Sequence, residues 1–322
     1  MPRAFLTGIT GQTGSYLAEQ LAGADWEVHG LVRPADSSAA ATRRLVPSAT
    51  LHEGDLGDLA RLTALVDDVE PDTIWNLGGL SSVAASWQRP VETAQITAVP
   101  VVALLEAAWR LQESRGRPVA FVQASSAEIF GSPEHSPQDE ATPIRPTNPY
   151  GAAKAYGHNL VGLYRLRGLP AASCILFNHE SPRRPPSFVT RKITRAAARI
   201  ALGLQNSLEL GNLEARRDWG WAPDYARALA SAATVPDDYV IATGEPHSVK
   251  EFVAAAFAAA GVEDWPERVH VDPSLVRPAD AAEQAGDSRR ARTALGWEPT
   301  KTFNEIVAAM VEADLAEARA ER

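Results

Sequence analysis

Tyr150 and Lys154 stand four residues apart in "NPYGAAK" (148–154), behind an Asn-Pro pair. Asn148 is a good helix cap, and Pro149 suits the first helical position, where a missing N–H costs nothing. The spacing then stacks the phenol and the ammonium on one helix face. Neither group is a ready catalyst at neutral pH, since free tyrosine loses its proton near ~10 and lysine near ~10.4. A cation close to a phenol lowers the phenol's pKa, and a second cation lowers it further. The pair is therefore expected to make Tyr150 a proton acceptor for an alcohol under oxidation. Ser126, at the end of "VAFVQASS" (119–126), would hydrogen-bond the reacting oxygen. The same two residues can also be an ordinary surface pair on a helix, so the reading depends on what surrounds them.

"TGITGQTG" (7–14) places Gly8, Gly11 and Gly14 between the first apolar run and the first helical stretch. Glycines there allow a tight turn and a close approach of backbone to a pyrophosphate, which the free N–H groups of the helix N-terminus favour. The spacing is G-x-x-G-x-x-G, not G-x-G-x-x-G, and its position at a strand–helix junction carries the signal. A dinucleotide supplies the hydride acceptor that the Tyr-Lys pair needs, and its positive nicotinamide ring is the second cation. Arg33, at the end of "EVHGLVR" (27–33), suits a 2′-phosphate, so NADP is expected in preference to NAD. Asp36 lies close enough to oppose that phosphate, and an ordinary solvated role for Arg33 stays open. Asp55 and Leu56 end the third apolar run, where an adenine edge would lie.

These residues need a scaffold that holds strand ends and helix starts together. Strands are expected at 4–8, 27–33, 50–56, 72–79, 119–126 and 171–178. Helices are expected at 15–22, at 59–69, through a long stretch ending near Leu111, and after Asn148. This rhythm predicts an α/β fold, a doubly wound parallel sheet of Rossmann type with a smaller mixed C-terminal substrate-binding region. Residues 1–178, with a return segment at about 238–260, would form the dinucleotide-binding part; 179–237 and 261–322 would form the rest. "TRKITRAAARIALGL" (190–204) has its apolar residues at helical spacing.

The 322 residues carry 31 Lys and Arg against 40 Asp and Glu, a net charge of −9, which argues against a nucleic-acid or anionic-membrane partner. Cys174 is the one cysteine, so no intrachain disulfide can form, and its apolar run assigns it to the core. No metal-ligand spacing is seen. No uninterrupted apolar run reaches the ~20 residues that span a bilayer. The N-terminal residues run into the glycine turn without a cleavable apolar core, so a cytoplasmic location is expected.

Seven stretches together give the chain a family resemblance: "TGITGQTGSYLAE" (7–19), "QASSAEIFG" (123–131), "NPYGAAKAYG" (148–157), "ILFNHESPRR" (175–184), "FVTRKITRAAARIALG" (188–203), "LGNLEARRDWG" (210–220) and "LGWEP" (295–299). Over nearly its whole length the chain resembles the extended short-chain dehydrogenase/reductase family, and within it the GDP-mannose 4,6-dehydratases. The resemblance implies a catalytic set of Ser126, Glu128, Tyr150 and Lys154. Glu128 would remove the C5 proton and return one to the leaving C6 hydroxyl. Thr10, Gln12, Leu77 and Arg184 would join Gly8, Gly11, Gly14, Arg33, Asp55, Leu56, Tyr150 and Lys154 around the cofactor. Arg183 and Arg184 would contact the cofactor or a neighbouring subunit. Ser86, Asn178, Val189, Lys192, Gly211, Arg217, Arg277 and Asp280 would line the nucleotide-sugar site. Between Arg183 and Arg217 the chain holds eight basic residues and two acids, which reads as an anion site.

The implied reaction converts GDP-mannose to GDP-4-keto-6-deoxymannose, in a homodimer or homotetramer. A nucleotide-sugar 4-epimerase or 4-keto reductase of the same family is the alternative. Several positions depart from the family pattern. "GGLSSV" (78–83) stands where "AAQSHV" is usual, Thr13 replaces an Asp, Pro34 replaces an Arg, and "TAVPV" (97–101) replaces "DGLGT". These changes bear on the lining of the cofactor and sugar pockets.

Overall fold

The computed structural model describes residues 1–275 and 281–321. In chain order the first half runs β1 (Arg3–Thr7), α1 (Gln12–Gly23), β2 (Glu27–Val32), α2 (Ala39–Leu45), β3 (Thr50–Glu53), α3 (Leu59–Val69), β4 (Thr73–Asn76), α4 (Val83–Gln88), α5 (Pro90–Thr93), α6 (Val99–Arg115), β5 (Ala120–Ser126), α7 (Pro149–Leu166) and β6 (Ala171–Leu176). The second half runs β7 (Asn178–Glu180), α8 (Val189–Ala201), β8 (Leu208–Leu210), β9 (Arg216–Trp221), α9 (Ala222–Ala232), β10 (Asp238–Ile241), β11 (Pro246–Ser248), α10 (Val249–Ala259), α11 (Trp265–Arg268), β12 (Val269–Val271), β13 (Glu283–Gln284), α12 (Arg289–Leu295) and α13 (Phe303–Ala320).

The expected parallel sheet forms, with strand order β10-β6-β5-β4-β1-β2-β3. Its strands are near-continuous apolar runs because helices cover both faces. On one face Leu17, Leu21, Trp75, Tyr225 and Leu229 pack from α1, β4 and α9. On the other, Phe5, Leu62, Leu104, Leu105 and Phe121 pack from β1, α3, α6 and β5. The strand order reverses between β1 and β4. A ligand crevice opens outside the carboxyl ends of the strands at such a reversal, and the glycine turn lies there.

A third cluster joins α8, α10 and α13 through Ile193, Phe252, Phe257, Ile306 and Met310. It covers a small sheet in the order β11-β9-β13, with β7 also paired to β9. Two boundaries expected from the sequence are corrected here. Only β10 of the return segment joins the main sheet, because the apolar stripe of α10 (Val249, Phe252, Val253, Ala256, Phe257) belongs to the third cluster. Conversely, α9 packs on α1 and β6, so residues 222–232 cover the main sheet. Residues Pro90–Arg115 form one helical run long and apolar enough to cross a membrane, which the count of uninterrupted apolar residues had not shown. Half of its most apolar window is buried inside the fold, where Val101, Leu104 and Leu105 serve the core.

Candidate active site

Asn148 is the joint of the site. Its backbone is extended (φ −146°, ψ 160°) and its Oδ1 accepts the Gly151 N–H at 2.8 Å, starting α7 with Pro149 in the first turn. The other end of the same carboxamide donates to Glu128 Oε2 at 2.6 Å. One side chain thus starts the helix that carries Tyr150 and Lys154 and holds the carboxylate expected to act beside them. Glu128 itself sits in a single 3-10 turn (Ala127–Ile129) directly after β5, and its N–H donates to Ser126 Oγ at 3.3 Å.

The two segments meet without a spacer. A Cβ on Gly151 would lie 2.4 Å from the Glu128 carbonyl oxygen, so only glycine lets α7 rest on that turn. Gly151→Ala is expected to cost about 1–3 kcal/mol through overpacking and to reduce turnover by displacing Tyr150 from Glu128. Thermal melts and turnover measured together check this; an unchanged melting temperature would contradict so close a contact.

Burial sets the electrostatics. Tyr150 is 8% exposed and its hydroxyl is pushed up to about 12, first by burial. The nearby Glu128 adds to the rise, while a hydrogen bond with Ser126 and the charge of Arg184 pull the other way. Lys154 is buried and pulled down to about 8 by the same loss of water. Its ammonium donates to the Ala124 carbonyl at 2.7 Å and lies 5.8 Å from the centre of the Tyr150 ring. The expectation that Lys154 lowers the phenol's pKa is therefore corrected for the protein alone. The charge of Arg184 favours the phenolate, and desolvation outweighs it.

The glycine turn fits a dinucleotide. Gly8 takes φ +72°, and a Cβ there would meet Gly78 N at 2.8 Å, where the β1 turn presses on the loop after β4. A Cβ on Gly14 would lie 2.1 Å from the Gly8 carbonyl oxygen. Helix α1 begins at Gly11 with no side-chain cap and no acid in its first turn, so its N–H groups are left for an anion. Thr10 Oγ1 donates to Asp36 Oδ2 at 3.1 Å. The Gln12 side chain is spent inside the fold: it donates to the His179 carbonyl and accepts from Ser181 Oγ, each at 2.8 Å. Only its backbone N–H remains for a phosphate. Arg33 is exposed just beyond β2. Asp55 accepts the Gly57 N–H at 2.7 Å, and Leu56 and Leu77 border Gly78 and Gly8 at the crevice.

On the substrate side, Ser86 is buried and donates back to the Val83 carbonyl within α4. Asn178 opens β7 opposite Trp219, Val189 opens α8, and Gly211 follows β8. Lys192 donates to the Glu209 carbonyl at 2.7 Å, and Arg217 to the carbonyls of Arg216 and Ala281. Arg277 and Asp280 lie outside the described residues. The eight-residue basic cluster is corrected in part, because acids outside that run, all but Glu180 distant in sequence, already serve most of it. Arg183 pairs with Glu19, Arg184 with Glu180, Arg191 with Asp314 and Glu317, Arg199 with Glu321, and Arg216 with Glu251 and Glu283. No group of three or more His, Cys, Asp or Glu that could hold a metal occurs among the described residues.

A profile of the GDP-mannose 4,6 dehydratase family matches residues 5–310. The chain belongs to that family. GDP-mannose 4,6 dehydratase 1 of Arabidopsis thaliana is 44% identical, the alignment covering 99% of this chain and 91% of the plant protein. GDP-mannose 4,6-dehydratase of Yersinia enterocolitica is 41% identical, over 99% and 95%. Among solved structures, RMD from Pseudomonas aeruginosa complexed with NADPH superposes with TM-score 0.80 at 26% identity, covering 98% of this chain and all of that one. A UDP-glucose 4-epimerase from Thermotoga maritima, at 22% identity and TM-score 0.85 over 97% and 98%, shares the fold.

The stretch "NHESPRR" (178–184) gains a physical role from the geometry. His179 Nδ1 lies 2.8 Å from the Phe177 carbonyl, so it carries the proton, and Nε2 then accepts from Thr13 Oγ1 at 2.7 Å. Burial pulls His179 down to about 4, so the ring is neutral, and it stacks on Tyr225 at 4.5 Å. Together with Gln12–Ser181 and Arg183–Glu19, this ties β7 and the loop after it to the first turns of α1. Sequence reasoning missed Asn148 as the holder of Glu128 and His179 as the partner of Thr13. The helix cap was visible, but its free amide end was not followed.

Proposed function

We propose that the protein converts GDP-mannose to GDP-4-keto-6-deoxymannose. The observation that carries this reading is Glu128, held by Asn148 against the turn that bears Ser126 and touching the helix of Tyr150. A 4-epimerase needs an oxidation site but no such carboxylate. Held at the glycine turn of Gly8, Gly11 and Gly14, NADP would supply the hydride acceptor for C4 and the hydride donor for C6. Tyr150 takes the proton of the C4 hydroxyl while Ser126 hydrogen-bonds that oxygen. The C4 ketone acidifies the C5 hydrogen; Glu128 removes it and returns a proton to the departing C6 hydroxyl, which leaves as water. C5 regains a proton from solvent as C6 is reduced, and Tyr150 releases the C4 hydroxyl proton to solvent, so the sugar loses one water in total.

The free N–H groups of α1 and the exposed Arg33 support NADP as the cofactor, held by the glycine turn, with Lys154 on its ribose. Lys192 and Arg217, which bond main-chain carbonyls, would turn to the diphosphate. Exposed Trp87, Val91, Val99, Tyr156, Leu163 and Leu166, on and beside α6 and α7, support assembly as a homodimer or homotetramer. A nucleotide-sugar substrate and NADP suit a cytoplasmic enzyme.

The test is mass spectrometry of GDP-mannose after incubation with the protein and catalytic NADP. The expected result is loss of one water from the sugar without net accumulation of NADPH. A sugar isomerised at unchanged mass, or one that has lost only two hydrogens with release of NADPH, would overturn the reading.

A further inference from the structure

Two opposite charges follow β2. Arg33 is exposed and forms no ion pair among the described residues. Asp36, three residues on, is pinned: Oδ2 accepts from Thr10 in the glycine turn at 3.1 Å, and Oδ1 accepts the Ser38 N–H at 2.9 Å. The backbone between them turns through Ala35 in the left-handed region (φ +57°), and the Asp36 N–H closes onto the Arg33 carbonyl at 3.1 Å. A carboxylate tied to the glycine turn at the end of β2 sits where the adenosine ribose of a dinucleotide lies in this fold.

We infer that Asp36 is a cofactor-specificity residue whose fixed carboxylate opposes Arg33 and keeps the preference for NADP over NAD narrow. The inference rests on the reading above that this turn holds a dinucleotide. A carboxylate offers about four acceptor positions. Thr10 and Ser38 use two, and two remain for the 2′- and 3′-hydroxyls of NAD. A 2′-phosphate meets the same carboxylate as a like charge, while Arg33 attracts it. A free acid would swing away from that phosphate. Asp36 is held at both oxygens, so the repulsion persists.

The test reads binding, not turnover. NADPH and NADH are titrated into the wild type, Asp36→Asn, Asp36→Ser and Arg33→Ala, with energy transfer from tryptophan to the reduced nicotinamide as the signal. In asparagine Oδ1 can still accept the Ser38 N–H while Nδ2 donates to the Thr10 hydroxyl, so the loop is preserved; serine removes the charge by a second route. The wild type is expected to prefer NADPH by less than about tenfold, and removal of the Asp36 charge to widen the preference by about tenfold, less at high salt. Arg33→Ala is expected to move it toward NADH. A preference that stays within about twofold in both Asp36 variants overturns the inference, as does a wild-type preference above about a hundredfold. Failure of the wild type to bind either dinucleotide overturns the proposed function and this inference together.

Discussion

Tyr150→Phe is expected to lower turnover of GDP-mannose by about a thousandfold, the middle of the range for loss of a positioned acid–base group, with NADPH affinity unchanged. The phenol is buried and sits at about 12 in the protein alone. Bringing it to a working value near neutrality takes about 7 kcal/mol of preferential stabilisation of the phenolate. The Ser126 hydrogen bond and the Arg184 charge already act within the value of about 12. The stabilisation must come from the positive charge that a bound dinucleotide brings, so proton transfer waits for the cofactor. Phenylalanine fills the same space and removes only the oxygen. Turnover within about tenfold of wild type would remove Tyr150 from the proton path.

The pH profile sharpens the same prediction. Lys154 is held at about 8, below its ordinary 10.5, so between those values the unfolded chain binds a proton that the folded chain does not. Stability from this group therefore rises with pH across that window. Activity has the opposite sign, because the ammonium that holds the ribose is lost above about 8. A fall in kcat/KM above that pH, in protein whose melting temperature does not fall, would separate loss of a catalytic cation from unfolding. Lys154→Arg, permanently charged, is expected to flatten the alkaline limb.

What the sequence discloses here is mostly local. The cap at Asn148, Pro149 in the first turn and the i,i+4 stacking of Tyr150 and Lys154 all follow from adjacent residues, and the helix forms as those signals require. The alternating apolar runs disclose the sheet for the same reason. The contacts that shape the site span long stretches of chain. Thr13 reaches His179 across 166 positions, and Arg191 reaches Asp314 across 123. Motif spacing cannot show that a basic run is already balanced by acids from elsewhere. The Tyr150 error has a different source. The spacing of Tyr150 and Lys154 shows two charges but not the loss of water around both, and that loss dominates in the folded protein. The fate of α10 was misjudged because its apolar stripe suits either core, and only the packing of Phe252 and Phe257 decides between them.

Glu128→Gln should separate oxidation from dehydration. The glutamine carbonyl can still accept from Asn148 Nδ2, which donates to Glu128 Oε2 at 2.6 Å, so the cap of α7 and the placement of Tyr150 are preserved. What is lost is the ability to take a proton from C5 and hand one to the C6 hydroxyl. Elimination is expected to slow by about 10²–10⁴-fold while removal of hydride from C4 persists. Three readouts should then agree: the sugar keeps its water, C5 takes up no deuterium from heavy water, and reduced dinucleotide accumulates to one equivalent per site. Retained dehydration would assign the C5 proton to another group and leave Glu128 as a brace for Asn148. Loss of C4 oxidation as well, with NADPH still bound, would place Glu128 in the first step, where its charge already acts on the Tyr150 hydroxyl.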